Sequence, residues 1–357
     1  MLVPAYFPDF KCKCGDCRSV CCKGWGISLS EAEYFRLLGL SCSPQLRRTL
    51  DSAFYIADRP TREAYAFVSP SFEGACRLLG DDGFCTLHQA CGESILPSVC
   101  RLYPRSFKSG IQFEGCCSAS CEATVELLID QTCPLQFFFV ERELSAAPPI
   151  PNQNVSAAAD LRSRCITAMQ NQSLSLRERI ILIGYLLLNP QPIPFAQHQT
   201  PDFLQTAEKL ISIFKGISPN IAEYGEKALA AVGLPGSDLQ LSSALWLKAL
   251  RRAYTVLPDC DDYFENLMVN HLFYEQFPDI PACKTPRDVY ISFYSAWTLV
   301  RFIGICLCES KSAFVDAIAA AFRYIEHSDF YRNAALILRN DPDGFRPDDI
   351  MPPSNAS

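Results

Sequence analysis

Five thiols fall within eleven residues near the start of the chain, in Cys12-Lys-Cys14-Gly-Asp-Cys17-Arg-Ser-Val-Cys21-Cys22. As a ligand pattern this reads Cys14-x2-Cys17-x3-Cys21-Cys22, with Cys12 as an extra donor. Two thiolates two residues apart can hold one metal centre from a tight turn, and Gly15 would give that turn its backbone freedom. Adjacent side chains point apart, so Cys21 and Cys22 need not serve the same metal atom. The pattern suits a cluster, or two nearby centres, better than one closed tetrahedral zinc.

Two further groups follow. Cys76 and Cys85 flank a stretch in which Asp82-Gly83 is a turn signal, predicting a β-hairpin with both thiols at its open end. Cys100 belongs with them, on one helical turn over 98–103 that Pro104 closes. The third group is Cys116, Cys117 and Cys121. Widely spaced ligands that meet in the fold are usual for cluster proteins. The expected metal ligands are Cys14, Cys17, Cys21, Cys22, Cys76, Cys85, Cys100 and Cys121, and Cys133 falls outside all three groups. A disulfide framework is the competing reading. It belongs mostly to short secreted chains, and a chain of 357 residues with 19 cysteines, an odd number, does not need it.

Other reactive side chains are few. His88, three residues after Cys85, is either a ligand or proton donor or a polar turn residue. Arg101 and Arg105 bracket Leu-Tyr-Pro beside Cys100. They are candidates to grip a cofactor carboxylate or tune the centre's charge, the alternative being a solvated loop. His271, on an amphipathic helix, reads as a surface or boundary residue. The Cys-x3-Cys-x2-Cys signature of radical enzymes is absent, because Gly24 and Thr124 stand where its third cysteine would fall. Gly-x-Gly-x-x-Gly, phosphate-loop and Gly-x-Ser-x-Gly motifs are absent too.

Fourteen of the 19 cysteines lie within the first 133 residues. That asymmetry predicts an α+β, mainly α chain: a Cys-rich region over 1–144 with short strands, a linker over 145–159, a helical domain over 160–340 and a disordered tail over 341–357. Ser28-x-x-Glu31 and Ser30-x-x-Glu33 both read as capping boxes for a helix over 30–38. A second helix is expected over 45–58, a strand over 65–72, a strand over 106–114 and a helix over 122–130. Gln136 to Val140 reads as a core strand or helix. Helices are then expected near 158–172, 175–188, 202–215, 220–232, 239–256, 261–276, 286–308, 311–326 and 328–339.

A formal net charge of −7 with no Lys/Arg block argues against a binder that neutralises nucleic-acid phosphates. The start lacks a basic segment before an apolar run, and no stretch reads as a membrane span, since Arg301 interrupts the apolar run over 296–308. A reduced cytoplasm is the expected location, and it would keep the thiols available for metal.

These residues resemble a known group. Cys14-x2-Cys17-x3-Cys21-Cys22, with Cys76, Gly83-Phe-Cys85-x-Leu-His88 and Cys100-Arg-Leu-Tyr-Pro, is similar to zinc- or iron-chelating proteins of the Cys-x2-Cys-x3-Cys-Cys type. Within that group, Tyr6-x-x-Asp9-Phe10-Lys11-Cys12 and Cys21-Cys22-x-Gly24-Trp25 resemble flagellin lysine N-methylases. The motifs cover about residues 5–125, and the back half is similar only in length and helical kind. The resemblance implies methyl transfer from S-adenosylmethionine to flagellin lysines. It also implies a Cys-ligated metal centre, an iron–sulfur cluster of the 4Fe–4S kind or, alternatively, zinc. Deprotonating a lysine amine needs a basic group, and Tyr103 and Glu122 are the candidates. The rival functional reading is a non-enzymatic zinc- or iron-binding module or metal carrier whose helical half docks a partner.

Overall fold

The computed structural model describes residues 1–18, 21–23, 26–72, 74–109, 113–141, 155–188, 203–236 and 238–339. The chain is α+β and mainly helical. Its strands are short: β1 (Leu2–Pro4), β2 (Ser28–Leu29), β3 (Phe54–Ile56), β4 (Ala66–Val68), β5 (Arg105–Ser109), β6 (Phe113–Cys117) and β7 (Phe137–Phe139). The chain divides into two compact units. Lys11–Arg105 forms the front unit, and Met1–Phe10 with Ser106–Ser357 forms the larger one. This departs from the expected region 1–144. The reason is β1, which pairs in parallel with β6 and antiparallel with β7 and so draws both ends of that region into the larger unit.

In the front unit β2, β4 and β3 form a small antiparallel sheet. Helix α1 (Glu31–Leu38) starts at Ser30 with a complete capping box to Glu33. Ser28 lies in β2 instead, so the second expected box does not form. Helix α2 (Pro44–Ala53) is capped by Ser43 and ends five residues early, where Phe54 begins β3. Apolar side chains from every element meet in one small core, including Leu29, Leu37, Leu50, Ala66 and Leu87. The expected hairpin survives as a turn alone. Leu79 and Cys85 form an isolated bridge, Gly83 takes φ +81°, and the Asp82 carboxylate accepts the Phe84 N–H at 3.0 Å. The strands stop because α3 (Thr86–Cys91) begins at once, fixed by the Thr86 hydroxyl donating to the Leu78 carbonyl at 3.0 Å. A short helix, α4 (Ser98–Leu102), carries Cys100.

The larger unit holds a sheet of order β5-β6-β1-β7. The expected strand over 106–114 is two strands, β5 and β6. Helix α5 (Glu122–Ile129) follows, then α6 (Val155–Met169), α7 (Leu176–Leu188), α8 (Phe203–Phe214), α9 (Glu226–Ala231), α10 (Leu239–Val256), α11 (Cys260–Tyr274), α12 (Pro286–Cys306), α13 (Lys311–Glu326) and α14 (Phe330–Arg339). Residues 155–159 of the expected linker belong to α6. The rest of that linker and the expected tail lie outside the described residues.

Strand β7 is an edge strand, so the run Phe137–Phe139 is only partly core. Phe137 packs against Phe273, while Phe139 is 70% exposed. Helix α12 is long and apolar enough to cross a membrane, contrary to the reading of its sequence. Its apolar character is explained by burial of 94% of that stretch within the protein. It packs against α7, α8, α9, α10, α13 and α14. Thr285 and Asp288 cap its start with a reciprocal box, and Pro286 sits at the first helical position.

Sheet and helices are joined by a buried fork. Arg162 of α6 donates to both carboxylate oxygens of Glu114 on β6, at 2.8 and 2.5 Å. Removing one partner strands a buried charge, which costs about 3–5 kcal/mol. Glu114→Ala is therefore expected to lower unfolding free energy by about that amount in urea denaturation. Glu114→Met combined with Arg162→Met should cost less than either single change.

Candidate metal centre

Four thiols come within electrostatic reach of one another in the front unit: Cys21, Cys76, Cys85 and Cys100. Burial pushes the pKa of Cys76, Cys85 and Cys100 above the ordinary cysteine value, and neighbouring sulfurs push it further. Cys21 acts on all three, Cys85 on Cys76, and both Cys76 and Cys85 on Cys100. Cys14 is raised as well, by desolvation and then by Cys12, Asp16 and Cys21. The first thiol group and the second therefore meet at Cys21.

The backbone around these sulfurs is arranged to donate to them. The Cys76 sulfur accepts the Leu78 N–H at 3.4 Å and is also bonded by the Leu79 N–H. The Cys85 sulfur accepts from Leu87 and His88 at the start of α3. Such bonds favour the thiolate against the pull of burial. The Cys76 N–H donates to the Cys22 carbonyl at 2.7 Å, tying the first group to the second.

Gly15 has a different role from the one its sequence suggests. The positive φ of the turn falls on Cys14, at 53°. Gly15 instead permits close approach, since a Cβ there would stand 2.4 Å from the Phe84 ring, one residue before Cys85. Helix α4 is set by a carboxylate with two duties. Glu33 accepts the Ser30 N–H at 2.9 Å and the Ser98 N–H at 2.6 Å, so the capping group of α1 also holds the first turn of α4. Burial alone would raise the Glu33 pKa, but the hydrogen bonds from Ser98 and Ser30 outweigh it and hold the carboxyl below the ordinary glutamate value.

The other expected site residues are distributed as follows. Cys17 and Cys22 are half-buried in the front unit, and His88 is half-buried on α3. Arg101 is exposed on α4, Tyr103 is its C-terminal cap, and Arg105 is half-buried at the start of β5. Cys121 belongs to the larger unit, at the start of α5, and is 9% exposed. Its neighbours Cys116 and Cys117 are buried on β6, with the Cys117 N–H and carbonyl both bound to the Tyr6 hydroxyl. Glu122 is 1% exposed, which takes it out of reach of a lysine on another protein. None of the 19 cysteines, all of which are among the described residues, is in a disulfide.

Sequence reading missed a polar network in the larger unit. His271 is fully buried rather than at the surface. Its Nδ1 lies 3.0 Å from Glu326 and its Nε2 2.7 Å from the Tyr331 hydroxyl. Glu265, Asn266 and Asn270 share its helix, α11, and are equally buried. Their spacing resembles a solvent face, and only the packing of α5, α6 and β6 on α11 reveals otherwise.

Residues 194–348 match the FliB lysine N-methylase C-terminal domain. That part of the chain is similar to the lysine N-methylase family. A lysine-N-methylase of Salmonella choleraesuis (strain SC-B67) is 25% identical over 156 residues, 42% of this chain and 38% of the relative. The lysine-N-methylase of Salmonella typhimurium (strain LT2) gives the same identity and coverage. The flagellar biosynthetic protein FliU of Salmonella muenchen is 26% identical over 103 residues, 29% of this chain and 60% of the relative. The chain thus spans well under half the length of the lysine-N-methylases it matches. No solved structure matches.

Two measurements check the site. Cys85→Ser and Cys100→Ser should each at least halve the metal content of full-length protein, measured by elemental analysis, while Cys42→Ser leaves it unchanged. Gly15→Ala removes no thiol, yet should lower metal content because the Phe84 ring must move. Full loading of Gly15→Ala would show that this close approach does not shape the site.

Proposed function

We propose that this protein transfers methyl groups from S-adenosylmethionine to lysine ε-amino groups of flagellin, and that its front unit carries an iron–sulfur centre on cysteine thiolates. The match of residues 194–348 to a lysine N-methylase domain carries the activity. The flagellar name of one relative supports the substrate. The convergence of Cys21, Cys76, Cys85 and Cys100 supports the centre, since four thiolates are the usual ligand set of a 4Fe–4S cluster. A bound centre would supply the positive charge that lets the thiols ionise.

In the transfer, the lysine nitrogen forms a bond to the methyl carbon. The carbon–sulfonium bond breaks with its electron pair going to sulfur, and one proton leaves the amine. With an ordinary pKa of about 10.4, the amine must shed a proton before it attacks. Tyr103, the residue directly after α4 and three past Cys100 in sequence, is the acceptor in this reading. Arg101 and Arg105 flank Tyr103 and offer forks for the carboxylate of the methionine moiety.

The test uses full-length protein purified without oxygen, methyl-labelled S-adenosylmethionine and unmodified flagellin. Label on flagellin lysines, with iron and labile sulfide in matched amounts, is the expected result. A metal-loaded protein that leaves flagellin unlabelled would overturn the enzymatic reading in favour of a metal-binding module. A colourless protein with stoichiometric zinc and full activity would overturn the cluster alone.

A further inference from the structure

Cys133 belongs to none of the cysteine groups in the front unit, yet its surroundings are the most ligand-like in the larger one. Its sulfur lies 2.7 Å from Glu265 Oε1, 3.5 Å from Asn266 Oδ1 and 3.8 Å from the Asp262 carbonyl. The sulfur and one carboxylate oxygen each from Asp262 and Glu265 all lie within 4.8 Å of one another. Asp262 and Glu265 are three residues apart on α11, which puts both carboxylates on one face.

The groups behind these atoms fix their direction. Glu265 is fully buried, and its other oxygen, Oε2, takes Arg179 Nη1 at 2.6 Å and Gln172 Nε2 at 3.5 Å. Its Oε1 is left facing the sulfur. Asn266 spends its amide hydrogens on the Leu128 and Gln131 carbonyls, at 3.1 and 3.2 Å, which turns its Oδ1 inward. Gln172 also donates toward the sulfur. Acceptors thus converge on one point where a single thiol proton must serve them all.

The charges give the same answer. A Cys133 thiolate, Asp262 and Glu265 carry three negative charges, and Arg179 returns one positive. The remainder is balanced by one divalent cation. We propose that Cys133, Asp262 and Glu265 bind one thiophilic divalent ion of the zinc class, with Asn266 Oδ1 as a neighbouring oxygen donor. Thiolate ligation selects zinc, cobalt(II) or iron(II) over magnesium and calcium, which prefer all-oxygen shells. Cys133 and Asp262 are half-exposed, so the ion has an entry path and one coordination position stays open. Burial, and then Glu265 and Asp262, push the Cys133 thiol above the ordinary cysteine value. Arg179 and Gln172 act as the outer shell that orients Glu265. This site is independent of the front thiols and of the methyl-transfer reading.

The test is zinc stoichiometry of the full-length protein at buffered free zinc, compared among wild type, Cys133→Ser and Asp262→Asn. Front-unit thiols contribute equally to all three. The expected result is one zinc fewer per chain in Cys133→Ser, and retention weaker by about tenfold or more in Asp262→Asn. With cobalt(II) replacing zinc, one thiolate-to-metal charge-transfer contribution should vanish in Cys133→Ser. Asp262 is half-exposed, so Asp262→Asn remains decisive if Cys133→Ser fails to fold. Equal zinc in wild type and a folded variant, or displacement of this ion by millimolar magnesium, would overturn the proposal.

Discussion

Cys76, Cys85 and Cys100 are buried near Cys21, and burial and then neighbouring sulfurs hold their pKa above the ordinary cysteine value. This is the constraint under which the front unit is built. Its core is small, its sheet has three short strands, and its sulfurs arrive from three separate stretches of chain. Each stretch is held by ordinary local chemistry: a glycine that admits an aromatic ring, an aspartate turn, and a carboxylate that caps two helices. None of these devices compensates a buried thiolate by itself, because backbone N–H donors offset only part of the desolvation cost. The polypeptide shapes this cluster of thiols, and on the proposed reading a bound centre would supply the balancing charge.

The larger unit meets the problem of buried polarity by pairing within the chain. Arg162 with Glu114, Arg179 with Glu265, and His271 with Glu326 and Tyr331 each place charged or polar atoms in the core beside a matching partner. These pairs join α6 to β6, α7 to α11, and α11 to α13 and α14. Apolar packing around α12 supplies the bulk of the core, and the polar seams fix which surfaces meet. Paired buried charges contribute little net stability but are costly to break, so they act through specificity of packing.

Helix positions in the back half were legible because apolar stretches of helical length stand between breaking sequences, even where, as in α11 and α12, the helix is buried nearly all round. The capping box at Ser30 was legible for the same kind of reason, a local signature read locally. What was not legible depended on partners far away in sequence. Nothing within Leu2–Pro4 announces that it is a central strand, since both neighbours lie more than a hundred residues on. The buried state of His271 depends on Glu326 and Tyr331. The grouping of Cys76, Cys85 and Cys100 was legible because a turn and a helical turn confine them. That Cys121 joins the larger unit was not, because spacing along the chain does not report which unit a residue joins.

The topology also orders events in time. Tyr6 is bound to Cys117, 111 residues later, and to Asn270 beyond that. A chain emerging from the ribosome presents its first ten residues long before their partners exist. Everything needed to close the four-thiol site, by contrast, has emerged once Arg105 clears the exit. The front unit is therefore complete in sequence before the partners of β1 are, since β6 and β7 both lie beyond it.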